Sequence, residues 1–328
     1  MSDTLSVGII GAGGIGHDHL RAISQLQNIR VAAVMDTIEE KARSAAETFG
    51  GKPCTRFDDV LADTEVQAIH VCTPHNQHGD QAVRAAEAGK HVLVEKPMAL
   101  TVAECDRMIA ASERAGRVLM VGQVMRYYPL SLKTKSLIAQ GAIGKVGHLM
   151  RRRLCYFDPS APGSSYGRWY MDLDVGGNCV LYCFGPHEYD LLHWYMDSPV
   201  VRVYAQGNES TRLYVGQKDS YTAIMNHENG AVSVLSQSVV CHGSAHDQVI
   251  VGSEGSITLT HSKLLLNGEE VVLEDMTGSG MRNQISEFAA CCLERRTPDA
   301  SGRSVRHTMA VIEAVQESAL RSEPVIVG

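Results

Sequence analysis

The chain has no run of eighteen consecutive apolar residues, so no membrane-spanning helix is expected. Its first residues, Met1-Ser2-Asp3-Thr4, lack a basic stretch followed by an apolar one, so no secretory signal is expected. There is no Cys-x-x-Cys pair, and the nine cysteines are odd in number. Free thiols in a reducing cytoplasm are the expectation. Positive charge is also not in excess: 30 Lys and Arg stand against 37 Asp and Glu, a net charge of −7. That argues against general affinity for nucleic acid, which needs clustered cations against phosphate. The one compact basic run, Arg151-Arg152-Arg153, sits in a strand-like stretch and reads as an exposed strand. No internal repeat, low-complexity segment or long linker interrupts the chain.

What is present is 328 residues, 44% of them hydrophobic and 20% charged. This is enough for two domains whose cores need neither disulfide nor metal. Up to residue 122 short apolar runs alternate with helical patterns. Strands are expected at Leu5–Ile10, Val31–Met35, Ala68–Cys72, Val92–Val94 and Val118–Val121. Helices are expected at His17–Gln27, Glu39–Phe49, His78–Ala88 and Ala103–Ala115, with Thr101 and Glu104 at capping-box spacing before the last. Such alternation implies a parallel sheet covered on both faces.

From residue 123 to 328 the pattern changes. Helices are expected at Tyr128–Gln140, near Val180–Trp194, and near Asn283–Arg295 and Ser304–Ser322. Between them strand signals crowd together at Val200–Gln206, Tyr221–Asn226, Ala231–Val240, Gln248–Gly252, Ser256–Thr260 and Val271–Glu274. Tight turns at Glu228-Asn229-Gly230 and Asn267-Gly268 imply antiparallel pairing.

Gly11-Ala12-Gly13-Gly14-Ile15-Gly16 follows a strand and opens a helix. In that context Gly11 permits a tight turn, Gly13 admits a pyrophosphate, and Gly16 allows close helix–strand packing. Gly14, Ile15 and Gly16 offer helix-terminal N–H groups to phosphate. Asp36, twenty residues after Gly16, ends the second strand, where a carboxylate binds the adenosine ribose hydroxyls. It would repel a 2′-phosphate, and Thr37, not an Arg, follows it. NAD is therefore expected in preference to NADP.

Further motifs form a set: Gly89-Lys90-His91-Val92-Leu93-Val94-Glu95-Lys96-Pro97, Thr73-Pro74-His75-Asn76-Gln77-His78, Val121-Gly122-Gln123 and Val251-Gly252-Ser253-Glu254-Gly255-Ser256-Ile257. Together they resemble the Gfo/Idh/MocA family, the glucose–fructose oxidoreductase and inositol dehydrogenase group. The resemblance implies an α/β Rossmann domain with a doubly wound parallel sheet at 1–122. It further implies a C-terminal α+β domain at 123–328 with an open-faced, mainly antiparallel sheet that binds substrate and supports oligomers. It places Thr73, Pro74, His75, His78, Glu95 and Lys96 at the cofactor, with Lys96 between nicotinamide and substrate. There an amine polarises a hydroxyl as a hydride leaves its carbon.

Family members follow a Gly-Gly stretch with an Asp and a His four residues apart on one helix. Here Gly176-Gly177 precedes a segment in which His187 matches the histidine and Cys183 stands where the Asp is usual. On an α-helix the two would share a face. A thiol orients an imidazole only weakly, leaving Asp190 or Tyr182 as candidate partners for His187 as general base. Cys179, Cys183 and His187 recur every four residues, but on one helix the outer pair lie roughly 12 Å apart along the axis. No metal is expected. Candidate substrate contacts are Arg126, Tyr127, Tyr156, Trp169, Asp172, Asp190 and His246. The expected activity is hydride transfer between a secondary alcohol of a sugar, cyclitol or glycoside and NAD(P), in a homodimer or homotetramer. Transient oxidation leading to net elimination, and a non-catalytic dinucleotide-sensing regulator, are the alternatives.

Overall fold

Short runs of Val, Ile and Ala that lack helical periodicity become the centre of a sheet covered on both sides. In the computed structural model residues 4–162, 167–260, 262–273 and 279–328 are described. Met1–Asp3 and Glu274, on which two of the expectations above fall, lie outside them. The first elements are β1 (Leu5–Ile10), α1 (Gly14–Ile23), β2 (Ile29–Met35), α2 (Glu39–Phe49), β3 (Lys52–Cys54), α3 (Phe57–Ala62) and β4 (Ala68–Val71). Then come α4 (His78–Glu87), β5 (His91–Val94), α5 (Val102–Ala115) and β6 (Leu119–Val121). The six strands are parallel in the order β3-β2-β1-β4-β5-β6, the doubly wound arrangement of a dinucleotide-binding sheet. β1 and β4 are buried along their whole length, which is why they read as continuous apolar runs.

Two differences from the expected elements matter. The pair β3 and α3 was not expected, because Lys52-Pro53-Cys54 has neither apolar run nor alternation. As an edge strand it tolerates proline. Helix α1 starts at Gly14, not His17, so the glycine run itself forms the first helical turn. The capping box does form: the Thr101 side chain accepts from the Glu104 N–H, and Glu104 reaches back to the Thr101 N–H.

The chain continues through α6 (Pro129–Ala139), β7 (Val146–Tyr156), a π-helical turn (Cys179–Phe184), α7 (Gly185–Met196), β8 (Val200–Asn208), β9 (Ser220–His227) and β10 (Val232–Ser238). Next are β11 (Val240–Gly252), β12 (Ser256–Leu259), β13 (Leu264–Leu266), β14 (Glu269–Glu270), α8 (Gly280–Glu294), α9 (Gly302–Arg321) and β15 (Val325–Ile326). These build a nine-stranded sheet, β14-β13-β12-β11-β7-β10-β9-β8-β15, antiparallel except where β10 runs parallel to β7. The strand expected over Ala231–Val240 is divided between β10 and β11. The strand expected from Val271 is replaced by the earlier Glu269–Glu270. Both anticipated turns form, with Gly230, Asn267 and Gly268 at positive φ.

The chain forms two compact units, residues 1–127 with 279–306, and 128–278 with 307–328. The first thus takes in α8, which the continuous division at residue 122 does not foresee. Phe288 of α8 is fully buried against His70 of β4. In the second unit α7 covers one face of the sheet. On the other face Val249, Met150, Val234, Ile224 and Tyr204 lie in register across five strands. Met150, Ile224 and Tyr204 are exposed.

Candidate active site

The turn after β1 is shaped by what a side chain would strike. Gly11 has φ +95°, and a Cβ there would stand 2.6 Å from the Cys72 carbonyl oxygen. A Cβ on Gly16 would lie 2.0 Å from the Gly11 carbonyl oxygen, so this helix packs on its strand only with glycine. Around Gly13 and Gly14 nothing lies within 4 Å of a built Cβ. That open cradle faces the first turn of α1, which has no side-chain cap and no acidic residue. Its N–H groups and positive dipole end remain available to an anion.

Asp36 closes the cradle. Its Oδ2 accepts from the Ala12 N–H at 3.0 Å and its Oδ1 from the Ile38 N–H at 2.9 Å, fixing the carboxylate beside the glycine turn. These residues fit a dinucleotide: a phosphate seat without side chains, and a carboxylate at the strand end for the ribose hydroxyls.

Beyond β4, the Thr73 hydroxyl donates to Gln81 Oε1 at 2.7 Å. His78 is fully buried, with Nδ1 2.8 Å from the Pro97 carbonyl oxygen and Nε2 2.9 Å from that of Thr73. Burial holds its pKa below the usual range, and a neutral ring bonds one carbonyl at a time. His78 therefore braces the Lys96–Pro97 segment, and His75 packs beside it at 5.8 Å between ring centres. The Lys96–Pro97 bond is cis. Lys96 is half-buried at the end of β5. Glu95, expected to line the cofactor, is 5% exposed and is committed to the Lys96 N–H and to His19.

In the second unit the expected single helix is not regular. Cys179–Phe184 is π-helical, and α7 starts only at Gly185. Cys183 and His187 lie on opposite sides of that junction, so four-residue spacing does not place them on one regular α-helical face. Cys183 is 4% exposed, while His187 is half-buried in the first turn of α7. The two expected stand-ins for the missing carboxylate both reach α9. The Tyr182 hydroxyl donates to Gln316 at 3.4 Å, and Asp190 Oδ1 accepts from the Thr308 hydroxyl at 2.9 Å. Among the described residues no three His, Cys, Asp or Glu side chains gather as metal ligands.

The basic run does not form the exposed strand expected of it. Arg152 is exposed and pairs with Asp247, but Arg151 is 3% exposed. Arg151 donates from Nε to Glu188 and from Nη1 to Gln248 Oε1 at 2.5 Å. Its Nη2 lies 2.8 Å from His246 Nε2, which fixes that nitrogen as the acceptor. Arg153 lies 3.5 Å from Glu188 and stacks over Phe184. Glu188 adjoins His187, so this buried cluster anchors the start of α7 on the sheet. Sequence pattern does not reveal it, because strand alternation identifies a face and not its partner. Arg151→Met leaves Glu188 buried without its closest partner, with Arg153 at 3.5 Å and His246 at 3.8 Å beside it, and should lower the unfolding free energy by about 3 kcal/mol in urea titration.

The remaining candidates separate. Arg126 is 2% exposed and donates to the Asp299 carbonyl at 2.9 Å; with Tyr127, also buried, it ties the first unit to its 279–306 segment. Tyr156 is exposed and stacks on His242 at 4.4 Å, Trp169 stacks on Tyr170, and exposed Asp172 accepts from the Asp174 N–H.

Comparison with known proteins agrees with this geometry. A profile described as the oxidoreductase family with NAD-binding Rossmann fold, GFO/IDH/MocA, matches residues 5–123. The C-terminal domain profile of the same family matches residues 131–258. Inositol 2-dehydrogenase of Salmonella paratyphi B is 30% identical over 247 residues, 73% of this chain and 68% of that protein.

The chain belongs to the GFO/IDH/MocA oxidoreductase family.

It is an NAD-binding dehydrogenase acting on CH–OH groups. Myo-inositol 2-dehydrogenase of Thermotoga maritima is 27% identical over 262 residues, 77% of this chain and 74% of that protein. A levoglucosan dehydrogenase in complex with NADH and levoglucosan superposes with a TM-score of 0.89 at 23% identity, covering 99% of each chain, and shares the fold. Among the described residues of this family member no helix is long and apolar enough to cross a membrane.

Proposed function

We propose that the protein oxidises a secondary ring hydroxyl of a cyclitol or sugar, with NAD in preference to NADP. NAD, when bound, supplies the acceptor for the hydride. Gly11–Gly16 hold its diphosphate, and Asp36 holds the adenosine ribose. The observation that carries the cofactor reading is the Asp36 carboxylate, fixed by the Ala12 and Ile38 N–H groups where a 2′-phosphate would meet its charge. Lys96 holds and polarises the substrate oxygen, and His187 takes the hydroxyl proton as the C–H bond breaks. The substrate class rests on the inositol dehydrogenases to which the chain is similar. The in-register apolar row of Val249, Met150, Val234, Ile224 and Tyr204 is the surface for a second copy, giving a homodimer or homotetramer.

The test is a kcat/KM series over myo-inositol, aldoses and levoglucosan with each cofactor, followed at the NADH absorbance. At least one polyol should reduce NAD stoichiometrically, with NAD favoured over NADP by about tenfold or more. Asp36→Ala should erode that ratio. A native preference for NADP contradicts the assignment, and no NADH from any polyol contradicts the substrate class.

A further inference from the structure

Behind the Glu95-Lys96-Pro97 segment lies a chain of buried ionisable groups that the transfer chemistry does not use. His19, on the inner face of α1, is 0% exposed, as is His70 in the middle of β4. His19 Nε2 lies 3.0 Å from Glu95 Oε1, and its Nδ1 lies 2.9 Å from Nδ1 of His70. The other oxygen of Glu95 accepts the Lys96 backbone N–H at 3.1 Å. A Cβ on Gly122 would stand 2.5 Å from Glu95 Oε1, so only glycine there lets the carboxylate lie flat at the ends of β5 and β6.

The protons can be counted. Two ring nitrogens at 2.9 Å share one hydrogen, and the carboxylate requires a donor at Nε2. Two arrangements satisfy both: an imidazolium at His19 donating to Glu95 and to a neutral His70, or a neutral His19 that donates from Nε2 to Glu95 and accepts at Nδ1 from His70. In the first, His70 keeps its hydrogen on Nε2, which has no hydrogen-bond partner; the ring packs edge-on against Phe288 at 5.3 Å. In either, His19 Nε2 is the donor to Glu95, and the electrostatics favour the first. Burial opposes charge on His19, but the Cys72 sulfur and the Glu95 carboxylate outweigh it and raise the pKa to about 10. Burial, with the charge on His19, holds His70 well below its ordinary value. Burial would raise Glu95, but His19 and the Lys96 amine and N–H bring it below the usual carboxylate range.

A buried ion pair stabilises little compared with apolar side chains of the same volume, since both charges lose their hydration. What it supplies is a carboxylate held in one place, against the backbone of the residue that meets the substrate. We propose that His19 and Glu95 are positioning residues: the His19–Glu95 pair fixes the Lys96 backbone, and with it the direction of the Lys96 amine, for CH–OH oxidation. The proposal rests on the reading that Lys96 serves the transfer.

Two substitutions separate positioning from simple packing. In His19→Gln the amide nitrogen takes the place of Nε2 and still donates to Glu95. In His19→Asn it takes the place of Nδ1 and leaves Glu95 without its donor. In the full-length protein, kcat on the polyol turned over by wild type, the Kd for NAD by calorimetry, Tm, and the Lys96 amide proton resonance are measured for both. His19→Asn should lower kcat by roughly 10- to 100-fold, the scale of a reacting group displaced by about an ångström. His19→Gln should recover much of that loss, and the Kd for NAD should stay within about threefold. The Lys96 amide resonance should move upfield in His19→Asn and stay near wild type in His19→Gln. Equal kcat in the two folded variants with an unmoved Lys96 resonance overturns the proposal. If His19→Asn does not fold, Glu95→Gln against His19→Gln makes the same comparison. If wild type oxidises no polyol, the substrate reading fails while the Lys96 resonance still decides the role of His19.

Discussion

Lys96→Met should lower kcat by about 100- to 10,000-fold, the usual range for losing a group that assists proton transfer. The substitution keeps the length of the side chain and removes its charge and its donors. The segment should otherwise stay in place: His78 braces the Pro97 carbonyl, and Glu95 holds the residue 96 backbone N–H, neither through the amine. The Kd for NAD and the Tm should therefore change little, and stopped-flow traces at saturating NAD should place the loss in the hydride-transfer step. A variant that keeps wild-type kcat removes Lys96 from the chemistry. A variant that loses NAD affinity in proportion to kcat makes Lys96 a cofactor contact only.

The glycines of the first turn should divide into two kinds. Gly16→Ala forces a Cβ to 2.0 Å from the Gly11 carbonyl oxygen, a backbone atom that cannot swing aside. Helix α1 must then move off β1, costing about 1–3 kcal/mol, and the phosphate seat distorts with it. Both Tm and NAD affinity should fall. Gly13→Ala meets nothing within 4 Å. It should leave Tm unchanged while its methyl group occupies the space that a pyrophosphate needs, so NAD affinity alone should fall. Calorimetry and thermal melts on the pair distinguish the cases; a Gly13→Ala protein that binds NAD like wild type places the diphosphate elsewhere.

The contrast between those glycines also shows what the sequence could and could not convey. Strand, glycine turn and helix in succession gave the dinucleotide motif its context, and Asp36 followed at the right distance. Both were legible because backbone conformation and short-range spacing are written locally. β1 and β4 were legible for a related reason, since full burial on two faces demands continuous apolar runs. The partners of buried polar groups were not. His19 falls on the inner face of α1 among apolar residues, and nothing nearby signals that Glu95, 76 residues on, receives it. Arg151 looked like part of a solvated basic run, yet Glu188, 37 residues later, draws it inside. The π-helical turn at Cys179–Phe184 is hidden in the sequence because four-residue spacing is equally that of an α-helix, and only the hydrogen-bond pattern separates the two. The inclusion of residues 279–306 in the first unit was equally hidden, as a helical pattern does not state which sheet it covers.

Whether Gly11–Gly16 and Asp36 seat a dinucleotide is asked most directly by isothermal titration of the purified protein with NAD and with NADP. One NAD per chain, taken up more tightly than NADP, with the preference weakened in Asp36→Ala, is the predicted result. A folded protein that takes up neither dinucleotide, or takes up NADP more tightly, contradicts it.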